Sequence, residues 1–271
     1  MDETSRKPWR IPVLVRITIA VHAALLLALQ LQPQHWHWSL AAILLSQALL
    51  IGTGLWPRST WLGENWNKLP HKSAENHEIA LTIDDGPDPE VTPQVLDILD
   101  KHEVRVTFFC IGNQAQRHPE LCRDIVARGH AIENHSHRHW HNFSLLGPRG
   151  LSREIKAAQE AITNITGQAP QFFRAPAGLR NVFLDYVLHK LGLQLASWSV
   201  RGFDTRTSDV GKVKNRLLKG LRPGAILLTH DGHTARTAEG IPVIIAVLPE
   251  IIESARESGL RFVTLRQAGH S

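Results

Sequence analysis

The sequence predicts an α/β fold, a distorted (β/α) barrel of about seven parallel strands, preceded by two transmembrane helices. Three observations carry this expectation. Seven short β-type runs alternate with amphipathic helical patterns after residue 77, the order that parallel βα units require. The residues best suited to chemistry fall at the C-terminal ends of those runs, where barrels and open α/β sheets both place their sites. Two apolar runs near the N-terminus each approach the ~20 residues needed to cross a bilayer core. Seven runs are one short of an eight-fold barrel, so the pattern also admits an open doubly wound sheet.

The first apolar run extends from Ile11 to Leu31 and is interrupted by Arg16, His22 and Gln30; the second extends from Ser39 to Trp56. Arg16 lies about one turn inside, where a long side chain can snorkel, and Trp9, Trp36, Trp38, Trp56 and Trp61 bracket the runs as an interfacial belt would. Residues 1–56 are therefore expected to form a membrane hairpin, with 57–77 a polar linker and 78–271 the α/β domain. One inserted span acting as an anchor, or a hairpin buried on the domain, are the alternatives. Neither run is followed by a convincing small-residue cleavage site. Arg6, Lys7 and Arg10 precede the first span and Arg58, Lys68 and Lys72 follow the second, whereas the connecting loop has no Lys or Arg. That asymmetry places the domain on the cytoplasmic side of a bacterial-type inner membrane, or outside it if only one span inserts.

In the domain, β-type runs are expected at Ile79–Ile83, Arg105–Cys110, Ala131–Glu133, Phe172–Arg174, Leu193–Ser197, Ala225–Thr229 and Arg261–Thr264. Thr92 and Pro93 resemble a helix cap and first turn ahead of Val95, Leu96 and Leu99. Ser152 is the expected cap of a helix carrying Ile155, Ala158, Ile162 and Ile165 and ending at Gly167. Asn181 and Gly192 bound the next, Asp209 opens another, and Ile241–Ser258 ends at Gly259.

The 271-residue chain has a formal net charge of +5. Seven Lys/Arg face four Asp/Glu in the first 76 residues, and 23 face 21 in the remainder. No basic run or interleaved aromatic platform follows, so nucleic acid is not an expected partner. The two cysteines, Cys110 and Cys122, lack CxxC spacing and suit buried small hydrophobes. Histidine is abundant, with 16 in the chain.

Five groups sit at strand ends: Asp84-Asp85-Gly86-Pro87, Asn134 through His139, Arg174 through Gly178, Asp204, and His230-Asp231. Adjacent carboxylates call for a metal, an arginine or both. His135 and His139, four apart, can offer two imidazoles to one cation with an oxygen ligand at a third corner. His137 and His141 form an equally spaced rival pair.

The series Thr82-Ile83-Asp84-Asp85-Gly86-Pro87, His135-Ser136-His137-Arg138-His139, Arg174-Ala175-Pro176-Ala177-Gly178 and Leu228-Thr229-His230 resembles the ordered motifs of the NodB-type polysaccharide deacetylases, carbohydrate esterase family 4, over Glu78 to Gln267. The resemblance implies metal-dependent hydrolysis of an N-acetyl group on an amino sugar; with the membrane hairpin, the expected substrate is an N-acetyl or other small N-acyl group on an amino sugar of a glycan or lipid-linked saccharide. It implies a divalent metal, usually zinc, on Asp85, His135 and His139. It makes Asp84 the general base, Arg174 its orienting partner, His230 the general acid and Asp204 the carboxylate that tunes it. The sequence departs from the family with Arg201 where an aspartate is common, Thr205 where a tryptophan usually helps wall the acetyl pocket, and Ala177 at an often aromatic position. An O-acetyl esterase on a polysaccharide, or a non-catalytic carbohydrate-binding membrane protein keeping the fold, are the alternative functions.

Overall fold

The computed structural model describes residues 8–269; Arg6 and Lys7, on which the expected membrane orientation partly rests, lie outside the described residues. Eight strands are present: β1 (Glu78–Asp84), β2 (Thr107–Cys110), β3 (Ala131–Asn134), β4 (Phe172–Phe173), β5 (Gln194–Leu195), β6 (Val200–Arg201), β7 (Ile226–His230) and β8 (Arg261–Phe262). Seven run side by side in the order β5-β4-β3-β2-β1-β7-β6 as a curled, open barrel. All pairings are parallel, and β8 joins only the start of β1, through Glu78 and Ile79.

β1 is buried along its whole length, as the central strand of a parallel sheet should be. Its alternation sorts the residues by face. Ile79, Leu81 and Ile83 pack outward against Val95, Leu96 and Leu99 of the helix Val91–Lys101 and Val247 and Ile251 of the helix Val243–Glu257. Ala80 points into the barrel with Phe109, Phe172, Trp198 and Leu228, and Thr82 and Asp84 share its side of the strand. The core therefore sits between sheet and helices, while the barrel mouth is left to polar groups.

Several local expectations need correction. The helix after β1 is capped by Asp88, whose Oδ1 accepts from the backbone N–H groups of Glu90 and Val91; Thr92 is inside the helix, and its hydroxyl accepts from the Asp88 N–H and donates to Asp231. The helix expected to start at Ser152 begins at Pro148, because Pro at the first turn after Gly147 supplies the nucleating geometry. It ends at Gly167 (φ 72°), as Leu184–Leu191 ends at Gly192 (φ 69°), the left-handed stops that glycine favours. Asp209 caps Val210–Leu218 by accepting from the Lys212 N–H at 2.9 Å. β6 has no counterpart among the expected runs, since two residues flanked by serine and glycine make no alternating pattern. Asp204 thus follows the sixth strand, and His230 ends the seventh.

Two apolar helices, α1 (Val13–Leu31) and α2 (Trp36–Gly54), form a hairpin around a turn at Pro33–His35. Both are long and apolar enough to cross a membrane, with mean hydropathy of 2.0 and 1.3. The hairpin is fastened to the α/β domain at its base. Trp9 Nε1 donates to Asp185 at 2.8 Å with its ring against Tyr186, and the Arg180 N–H donates to the Gly54 carbonyl at 3.1 Å. Residues 57–77 pack on the domain rather than crossing open solvent: Leu62 and Leu69 are buried, and Trp66 exchanges backbone hydrogen bonds with Leu195 and Ser197 beside β5.

Candidate metal and catalytic centre

The site is assembled where β1, β3, β4, β6 and β7 end. Asp84 leaves β1 on the inward face, and Asp85 turns sharply at φ 75°. Arg174, 1% exposed, fixes Asp84 from the end of β4. Its Nη1 donates to Asp84 Oδ1 at 2.6 Å and to Thr82 Oγ1 at 2.8 Å, while Nη2 and Nε donate to the carbonyls of Ser197 and Ala196. Phe109 lies 4.0 Å and Trp198 5.9 Å from the guanidinium, so a buried cation is held by stacking as well as hydrogen bonds. The Oδ1 of Asp84 is thereby committed, and Oδ2 is left facing the cleft side, 3.8 Å from His135 Nε2.

Asp85, His135 and His139 converge. Their ligand-capable atoms lie within 4.8 Å of one another, the one such group among the described residues. Asp85 Oδ1 is 3.2 Å from Nε2 of both His135 and His139 yet is buried with no hydrogen-bond partner. A buried carboxylate oxygen left unpaired is costly, and a cation between these three atoms removes that cost. The donor set of two imidazoles and one carboxylate suits a divalent transition metal with open positions. His135 Nδ1 lies 2.9 Å from the Arg174 carbonyl, which can only accept; the proton is therefore on Nδ1, and Nε2 carries the lone pair. Burial and the neighbouring His135 bring the His139 imidazole down to about 4, which keeps it neutral as a ligand must be. Burial alone would push Asp85 up, but the imidazoles of His135 and His233 hold it well below the usual carboxylate range.

The loop that presents the two histidines is pinned locally. Asn134 Oδ1 accepts from the Ser136 N–H, and Ser136 Oγ accepts from the His139 N–H. Asp85, Ser136, His139, Ala177, Phe203 and His233 all adopt positive φ between 53° and 75°, a conformation that non-glycine residues keep only where surrounding contacts enforce it. The rival pair is not brought together: His137 turns behind Gly112, where its Nδ1 would lie 2.5 Å from an added Cβ, and His141 is exposed at the rim.

His230 closes the far side. Asp204, fully buried, accepts from its backbone N–H at 2.7 Å and meets its Nδ1 at 2.9 Å. Burial works against an imidazolium, but the Asp204 carboxylate outweighs it and raises His230 above its ordinary value. Five of the seven residues expected from sequence, Asp84, Asp85, His135, His139 and His230, line one cleft of about 530 Å³ together with Trp198, Arg201, Thr205 and His233, while Arg174 and Asp204 stand behind Asp84 and His230. His233, 3.7 Å from Asp85, escaped the sequence reading although it stands three residues after His230. Asp231 is buried beneath Gly86 and pushed up to about 7 by burial, so it braces the turn after Asp85.

A family model described as polysaccharide deacetylase matches residues 71–196. A chitooligosaccharide deacetylase of Bradyrhizobium sp. (strain ANU 289) is 40% identical over 156 residues, covering 57% of this chain and 71% of that protein. A peptidoglycan-N-acetylglucosamine deacetylase of Bacillus cereus is 30% identical over 214 residues, covering 78% of this chain and 75% of the relative. The chain belongs to the polysaccharide deacetylase family. Solved polysaccharide deacetylases and carbohydrate esterases share its architecture. A peptidoglycan N-acetylglucosamine deacetylase superposes with a TM-score of 0.67 at 30% identity over 75% of this chain and 92% of the other. A family 4 carbohydrate esterase from Streptomyces lividans, solved with acetate, gives 0.62 at 31% identity over 69% and 92%. As a deacetylase-family enzyme, this chain has an Asp/His/His group that could bind the metal on which the family depends.

Proposed function

We propose that the protein is a zinc-dependent N-deacetylase acting at a membrane on an acylated amino sugar, glycan or lipid-linked, with its catalytic domain on the cytoplasmic face. The observation that supports this best is the placement of two buried hydrogen-bonded pairs, Arg174–Asp84 and Asp204–His230, beside the Asp85, His135 and His139 group.

A divalent ion held by Asp85, His135 and His139 supplies Lewis acidity to the acyl carbonyl and to the attacking water. The chain's own residues do the rest. Asp84, with Oδ1 bound to Arg174, accepts the water's proton at Oδ2. His230, with Nδ1 on Asp204, donates from Nε2 to the departing amine nitrogen, which must be protonated as the C–N bond breaks. The Ala177 backbone, turned to φ 53° at the cleft, is the donor to the developing oxyanion. An amine is a poorer leaving group than a sugar alcohol and depends more on such an acid, so the buried Asp204–His230 pair suits an amide substrate.

The membrane part of the proposal rests on the hydropathy of α1 and α2 and on Arg10, Arg58, Lys68 and Lys72 flanking them. Acetate release by the full-length protein from N-acetylated sugars, with zinc and with chelator, tests the activity. Release that depends on metal is expected; metal loading with no release from any N-acylated sugar removes the proposal.

A further inference from the structure

The cleft has a charge that a neutral polysaccharide does not explain. Four arginines line it, Arg117, Arg138, Arg201 and Arg206, against two acids, Asp84 and Asp85. Both acids are already engaged, with Arg174 and with the imidazoles. Arg138 lies 3.9 Å from Glu154, but among the described residues no carboxylate comes within ion-pair distance of Arg117, Arg201 or Arg206.

Arg201 is the most built of these. Its guanidinium lies 5.6 Å from the Trp198 ring and 5.1 Å from Phe203, and its Nε is buried with no hydrogen-bond partner. Phe203 is itself held at φ 63°, and the Arg216 guanidinium also lies near its ring, 5.2 Å from the centroid. A planar fork preset between two aromatics, with a donor left over, is the arrangement that captures an oxyanion bidentately. Deacetylation of a neutral sugar would turn it into a cation beside four arginines, so an anionic group on the substrate is what balances this lining.

The third observation is where the hairpin ends. Gly54, the last residue of α2, accepts from the Arg180 N–H, and its Cα packs so closely on the Arg180 carbonyl that no Cβ would fit. Three residues on, Pro57 lies 2.7 Å from the position a Cβ would take on Gly178, in the loop that carries Ala177. The cleft mouth and the base of the apolar hairpin are thus built against each other.

We infer that the substrate is an acylamino sugar carrying a phosphate at its glycosidic end, with Arg201 as the main phosphate contact and Arg206 assisting. This rests on the deacetylase function proposed above. A sugar phosphate can come from a membrane lipid carrier or from a soluble nucleotide or sugar phosphate; both present the same group to the arginines.

The test uses the full-length, zinc-loaded protein in phospholipid nanodiscs. Calorimetry measures binding of methyl N-acetylglucosaminide, N-acetylglucosamine 1-phosphate, UDP-N-acetylglucosamine and prenyl-phosphate-linked N-acetylglucosamine, and acetate release is followed separately. The phosphorylated sugars should bind about 10- to 100-fold more tightly than the neutral one, the range for hydrogen bonds to charged groups, and Arg201→Gln should remove most of that preference. Arg206→Gln, exposed and tolerant of substitution, should reduce it less and guards against misfolding of the first variant. Tightest binding of the prenyl-linked sugar identifies a lipid source, and equal binding of the soluble phosphates identifies a soluble one. Equal affinity for neutral and phosphorylated sugars, or a preference untouched by both variants, overturns the inference even if acetate is released. Phosphate-selective binding that is weakened by Arg201→Gln, but without release, keeps the phosphate contact and removes the deacetylase function instead.

Discussion

Asp204 holds His230 at two points, its Oδ2 on the backbone N–H at 2.7 Å and its Oδ1 beside Nδ1 at 2.9 Å. One carboxylate thereby fixes both the position of the imidazole and its charge. Because the His230 pKa is raised by Asp204, the protonated acid persists to higher pH than a free histidine would. Asp204→Asn removes that support, so the imidazole loses its proton at lower pH. The alkaline limb of the kcat profile should move toward acid, with a greater loss at pH 8 than at pH 6. An unshifted alkaline limb would show that another group supplies the proton.

Asp84 and the metal ligands should separate cleanly. Asp84→Asn keeps the carboxamide near Arg174 and leaves Asp85, His135 and His139 in place. Bound zinc should persist while turnover falls about 10²- to 10⁴-fold, the range for losing a positioned proton acceptor. Loss of metal in parallel with activity would instead make Asp84 a ligand.

His135→Ala and His139→Ala should each abolish stoichiometric zinc by elemental analysis. His137→Ala should retain it, because that ring is turned behind Gly112. Retention in His135→Ala with loss in His137→Ala would reverse the ligand assignment.

The contact of Gly54 with Arg180 predicts coupling between hairpin and cleft. A side chain at position 54 would meet the Arg180 carbonyl, a backbone atom that cannot move aside cheaply. Gly54→Val should cost about 1–3 kcal/mol of stability, as overpacked sites do. It should also lower kcat through the loop carrying Ala177, whereas Gly52→Val, with open space around it, should do neither. Unaltered melting and turnover in Gly54→Val would mean that hairpin and domain are not joined in this way.

Much of this architecture was legible because it is written in patterns of period two or in residues with one stereochemical use. β1 announced itself as the apolar residues Ile79, Ala80, Leu81 and Ile83 around Thr82, followed by two aspartates, and Gly167 and Gly192 marked helix ends where only glycine rests easily in the left-handed region. The two-residue strand Val200–Arg201 was not legible, since its pairing with β7 comes from the neighbouring strand and not from its own composition. Thr92 and Ser152 misled for a related reason: hydroxyl residues also sit inside helices, and here Asp88 accepts from the Glu90 and Val91 N–H groups while Pro148 starts the other helix directly after Gly147. In the site, the sequence places Asp84, Asp85, His135, His139, Arg174, Asp204 and His230 at strand ends, and the structure brings them together. His233 and the aromatic seat of Arg201 were not legible, because each depends on a turn at positive φ that brings distant chain into contact.

We propose that Asp85, His135 and His139, flanked by Asp84 and His230, hold the ion that drives hydrolysis. The most direct measurement is a titration of metal-free, full-length protein with zinc, following bound metal and acetate release together on an N-acetylated amino sugar. Release should rise in proportion to zinc, level at one equivalent, and be absent at every zinc concentration in His135→Ala. Release that is complete before zinc is added, or that survives in His135→Ala without bound metal, would contradict the account.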